Sequence, residues 1–126
     1  LKDIFVFGQD LNDYSPASKQ VIKALRKAGF RRSEYEVLND PRLLRQAGKC
    51  YVLTFGAEAY SEITGRVGIG EGRGELHGSQ WSDEALVFPT YSPGYLRRNP
   101  RIKNVFENNL ADFYAWIKLD KDGIVV

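Results

Sequence analysis

The apolar run Ile4-Phe5-Val6-Phe7 stops abruptly at Gly8-Gln9-Asp10. Short, continuous and aromatic or β-branched, the run reads as a strand buried on both faces. An amide and a carboxylate therefore sit where that strand leaves the core. In α/β sheets this carboxyl end is where ligands are met. The Gln9 amide can both donate to and accept from a polar ligand edge. The Asp10 carboxylate can take a proton from water or stabilise developing positive charge. A second polar stretch, Pro89-Thr90-Tyr91-Ser92-Pro93-Gly94-Tyr95-Leu96-Arg97-Arg98-Asn99-Pro100, follows another short apolar run. Arg97, Arg98, Arg101 and Lys103 fall within seven residues there, a grouping suited to phosphates.

The elements that position these groups alternate. Strands are predicted over 4–7, 35–38, 51–55 and 85–88. Ser15-Pro16 predicts a helix start, with Ser at the cap and Pro in the first turn. Val21, Ile22, Leu25 and Ala28 then share a face, and Gly29 ends the helix. A brief helix runs through Leu43 and Leu44 to Gly48, and another opens at Gly56-Ala57-Glu58-Ala59 and closes near Gly65. Asn99-Pro100 caps a long helix with Ile102, Val105, Phe106, Leu110, Phe113 and Ile117 on one face. On this reading the arginines stand at a helix start. Acidic side chains are preferred there, so cations held at that end imply an anion; a solvated basic face is the alternative. Strands alternating with helices predict parallel pairing and right-handed crossovers. The expected fold is a three-layer α/β/α sandwich with a central parallel sheet of about four strands.

Composition bounds the function. The chain has 126 residues, 43% apolar and 27% charged, which suits one domain over 1–126 with a substantial core. A start at Leu1 fits a domain excised from a longer polypeptide. No run approaches the roughly 20 apolar residues of a membrane span, so no membrane partner is expected and the location is expected to be cytoplasmic. One cysteine, Cys50, excludes an internal disulfide and supplies at most one metal ligand. No metal and no cofactor are expected. A net charge of +2 does not by itself mark a nucleic-acid binder. Six glycines between Gly65 and Gly78 mimic a phosphate loop, but no Gly-Lys-Ser/Thr follows, and a flexible connection is the plainer reading. His77 lies in that connection and reads as structural or solvent-exposed.

Four segments, in order, carry a resemblance. The stretch 89–100 is similar to the Pro-Thr-X-His-Pro-Ser/Ala-Tyr-Leu-Leu-Arg-Asn-Pro segment of the uracil-DNA glycosylase superfamily, in its thermostable bacterial and archaeal branch. Val52-Leu53-Thr54-Phe55-Gly56-Ala57-Glu58-Ala59 resembles that branch's strand-Gly-Ala-X-Ala element. Arg73-Gly74 resembles an Arg-Gly pair before the last strand. Gly8-Gln9-Asp10 resembles the Gly-Gln-Asp-Pro-Tyr motif of the cellular and viral branch. The resemblance spans nearly the whole chain and implies a DNA partner and hydrolysis of a base from deoxyribose. Such enzymes extrude the nucleotide from the stack at a cost of about a few kcal/mol. It implies that Asp10 steers the water, that Gln9 and Asn39 read the base, and that Tyr14 stacks on it. Tyr95 and Leu96 would wedge into the duplex while Arg97, Arg98 and Arg101 contact phosphates. Asp10 and Asn39 are also ordinary turn residues, and Tyr95 and Leu96 also suit packing.

The departures bear on chemistry. The family's late-loop histidine, which donates to uracil as negative charge builds, is Ser92 here. Losing one preorganised donor costs about 10²–10³ in rate. Leu11-Asn12 replaces Pro-Tyr, which normally excludes 5-substituted pyrimidines, and a single cysteine cannot hold the branch's iron–sulfur cluster. Three functions are therefore expected to compete. One is a glycosylase-like DNA-binding domain with weak or lost excision; similar domains are attached to DNA polymerases in some bacteriophages. The others are an active glycosylase and a protein-interaction module that kept the fold.

Overall fold

In a computed structural model, residues 2–9, 11, 15–66 and 77–122 are described. The strands are β1 (Ile4–Gly8), β2 (Glu36–Val37), β3 (Cys50–Phe55), β4 (His77–Gly78) and β5 (Ala85–Thr90). The helices are α1 (Pro16–Ala28), α2 (Ala57–Thr64), α3 (Pro93–Arg98) and α4 (Lys103–Lys121), with 3₁₀ turns at Arg32–Glu34, Pro41–Gln46 and Pro100–Ile102. One mixed sheet has the order β2-β1-β3-β5-β4. β2, β1, β3 and β5 are parallel, as expected, and the register sets Phe5 beside Val52 and Val52 beside Val87. The fifth strand, β4, was not expected. It pairs antiparallel with β5 at the edge, and its two residues are too few to reveal a period.

Successive side chains of a strand point to opposite faces, and both faces of this sheet are covered. On one, Ile4, Val6, Leu53 and Phe88 pack with Val21 and Leu25 of α1 and with Phe106, Leu110, Phe113 and Ile117 of α4. On the other, Phe5, Phe7, Val52 and Val87 meet Ala59 and Ile63 of α2 and Leu44 of a 3₁₀ turn. That explains why the strands read as unbroken apolar runs. Each such side chain contributes about 1.5–3 kcal/mol by leaving water.

Helix ends follow local chemistry. The Ser18 N–H donates to Ser15 Oγ at 3.0 Å, and Pro16 opens α1. The long helix α4 begins at Lys103 and not at Asn99-Pro100, and Val105 is 41% exposed, off the buried stripe. Cys50 is buried, which together with the charges of Asp3 and Glu84 pushes its thiol up to about 11. It packs as a small apolar residue.

At the amino end of the central strand β3, the Asp120 carboxylate of α4 lies 2.8 Å from Lys49 Nζ and accepts from the Tyr51 hydroxyl. Lys49, then Tyr51, hold its pKa below the ordinary value. A carboxyl depressed in the folded state adds stability above its unfolded pKa, about 3.9, and loses it as pH falls through the folded value. Asp120→Asn is therefore expected to lower the melting temperature near neutral pH, by less than about 1 kcal/mol in stability. The gap should close as melts are taken to acid pH, through and below the lowered folded value; a constant gap would mean that packing, not charge, is lost.

Candidate functional site

Because β1, β3 and β5 are parallel, their carboxyl ends share one edge, and a pocket of about 390 Å³ opens there. Gln9 enters from the end of β1, Gly56 and Glu58 from the end of β3, and Ser92, Arg97 and Arg98 from beyond β5. Two glycines let the ends converge. A Cβ on Gly8 would lie 3.0 Å from Phe55 Cβ, so glycine lets β1 finish close against β3 without pushing Phe55 aside. Gly56 has φ +98°, and a Cβ there would lie 3.1 Å from Ser92 Cβ. Its N–H donates to Thr90 O at 2.9 Å, tying the ends of β3 and β5 together.

Ser92 caps a helix that sequence patterning missed. Its Oγ accepts from the Tyr95 N–H at 3.1 Å, and Pro93 opens the first turn of α3. The signal was present: Ser92-Pro93 repeats the Ser15-Pro16 start of α1. Asn99 closes α3 with its backbone N–H on Tyr95 O at 2.9 Å. Arg97 and Arg98 consequently lie in the last turn of a helix and not at the start of one. Cations are favourable there, so the inference of an anion from an unfavourable helix end is corrected. What favours an anion is different. Both guanidinium groups fold over Gly94 toward the pocket, where a Cβ would be 3.5 Å from Arg98 Nη1 and 4.0 Å from Arg97 Nη2. Among the described residues neither arginine forms an ion pair.

Glu58 was not anticipated. It stands at the start of α2, exposed, and its carboxylate accepts from the Gln9 side-chain amide. Its position three residues after the apolar run that ends at Phe55, at the carboxyl end of a predicted strand, was the readable signal. An amide donor, a carboxylate acceptor, a serine hydroxyl and two guanidinium groups thus share one opening. That set can hydrogen-bond a polar ring edge and hold a phosphate at once.

Other expected residues fall elsewhere. Asn39 is exposed and lines a separate hollow of about 160 Å³ with Leu38, Leu43 and Gln46. The reason is sheet order: β2 is two strands from β3, roughly 10 Å at the usual strand spacing. Leu96 is 7% exposed and packs in the core beside Phe106, so its expected wedge role is corrected to an anchor for α3. Tyr95 is 40% exposed and stacks flat on Tyr91, with ring centroids 5.1 Å apart and planes 9° apart. Arg101 is exposed in a 3₁₀ turn outside the pocket. Asp10, Tyr14, Asn12 and Arg73-Gly74 lie outside the described residues. The His77 ring has Nδ1 3.1 Å from Arg66 Nη1 and meets Tyr60 edge to face at 5.4 Å, a packed position away from this pocket's lining.

Among the described residues no group of His, Cys, Asp and Glu could hold a metal ion, and no helix is long and apolar enough to cross a membrane. No protein-family model matches the chain, and no curated protein matches its sequence.

Proposed function

We propose that the chain is a uracil-DNA glycosylase-like domain that binds DNA through the pocket at the carboxyl edge, with base excision weak or lost. The observation that carries this reading is the shared lining of one pocket by Gln9 and by the Ser92, Arg97 and Arg98 segment. Those two stretches carry the resemblance most strongly, and they are eighty-odd residues apart in sequence. Weak excision is favoured because Ser92 replaces the expected histidine and its oxygen already caps α3. A short neutral hydroxyl engaged in this way is a poor substitute for a donor aimed at a leaving base. The same resemblance makes a DNA polymerase carrying the domain the natural partner.

The test uses labelled oligonucleotides with uracil or thymine, single- or double-stranded, in anisotropy titrations and in an alkali assay for abasic sites. Binding that weakens steeply with salt is expected, with abasic product near background. Ser92→His should raise product by up to about 10²-fold if the missing donor limits the rate, and Asp10→Asn should abolish that gain. Absence of binding at low salt overturns the DNA reading. Fast uracil release by the parent chain makes it an active glycosylase.

A further inference from the structure

A second hollow, of about 230 Å³, lies between α1 and α4 on the far side of α3 from the first pocket. Lys23 and Lys27 reach it from one face of α1, and Lys103, Phe106 and Glu107 from one face of α4, with Leu96 of α3 between them. The spacings are those of single helix faces. Leu96 and Phe106 are buried and make an apolar floor; the lysines form an exposed rim. Lys27 pairs with Glu107 at 2.5 Å, whereas among the described residues neither Lys23 nor Lys103 forms an ion pair. The rest of α1 adds no acid: Lys19, Lys23, Arg26 and Lys27 are its charged residues, and all are exposed.

Two cations without an ion pair among the described residues, set over an apolar floor, match a nucleotide, with phosphates for the lysines and the sugar or base for Leu96 and Phe106. The site is also reachable from the first pocket. Ala17 of α1 lines that pocket and Ala24 lines this hollow, so the two lie about 10 Å apart along the helix. A stacked strand covers that in about three nucleotides. We propose that the α1–α4 groove is a second contact for single-stranded DNA, following the strand that leaves the first pocket. This rests on the DNA reading above and adds the strand state and the path.

The test compares a thymidylate dinucleotide, too short to span the two sites, with oligothymidylates of about 16 nucleotides, the upper end of single-strand site sizes, against the parent chain and Lys23→Gln/Lys103→Gln. Both lysines are exposed, and equal melting curves verify the fold. The parent should bind the longer oligomer more tightly. The variant should lose roughly tenfold on the longer one, with a salt slope smaller by about 1.4 for two phosphates, and nothing on the shorter. Unchanged length dependence and slope in the variant overturn the groove while leaving the DNA reading intact. Equal losses on both lengths also overturn it, because the lysines would then act at the first pocket. Displacement of the longer oligomer by polyglutamate of matched charge, as efficient as by unlabelled oligomer, overturns it as a nucleotide site. Failure of the parent to bind either oligomer removes the DNA reading itself, and the groove with it.

Discussion

Replacing Arg97 and Arg98 together by alanine is expected to weaken DNA binding about 30- to 150-fold at low salt, from roughly 1–1.5 kcal/mol for each charged contact. Both side chains are exposed and line the first pocket without an ion-pair partner among the described residues. Their removal should therefore leave the melting temperature nearly unchanged while the slope of log affinity against log salt falls by about 1.4 on single strands. Anisotropy titrations across a salt series measure this directly. Arg101→Ala is the comparison, since Arg101 does not line that pocket, and it should cost less than either pocket arginine. Full affinity in the double variant would reduce Arg97 and Arg98 to cations that favour the end of α3.

The second large effect is expected at Gly56→Ala. With φ at +98° the backbone occupies a region that costs a side chain about 1–3 kcal/mol. The new Cβ would also press on Ser92 Cβ at 3.1 Å. Ser92 has little room to yield, because its oxygen is fixed on the Tyr95 N–H and its segment is joined to Gly56 through Thr90. Strain and crowding together should cost about 2–4 kcal/mol, or roughly 10 °C in melting temperature for a chain of this size. DNA affinity should fall in the same variant even well below its melting point, as Ser92 and α3 shift away from Gln9. An unaltered melting temperature would mean that the two strand ends are not rigidly joined.

Much of the sheet was readable because burial on both faces leaves unbroken apolar runs such as Ile4-Phe5-Val6-Phe7 and Tyr51-Val52-Leu53. Helix α1 was readable because Ser15, Pro16 and Gly29 mark its ends. What escaped notice was short. β4 has two residues, and α3 is six residues that carry arginines and a glycine where a loop was expected. Missing α3 reversed the electrostatic reading of Arg97 and Arg98. The pocket's edge followed from parallel strands, but its membership did not. Strand order, which sequence does not state, puts Asn39 on the far side of β1 from the β3 and β5 ends where the pocket opens, and brings Glu58 beside Gln9. Leu96 was ambiguous because an apolar residue in a polar stretch suits an anchor and a wedge equally, and only packing decides.

The contact between the Gln9 amide and the Glu58 carboxylate makes the mouth of the pocket a competitive lock. A visitor bearing only acceptors must outbid a carboxylate for the N–H that Glu58 holds, and a neutral carbonyl is the weaker acceptor. A visitor with a ring N–H beside its carbonyl satisfies both side chains in one step, its oxygen taking the amide and its proton the carboxylate. Uracil, thymine and guanine offer that lactam edge, and adenine, without a carbonyl, does not. Preference among bases would then rest on an acid contributed by the second helix.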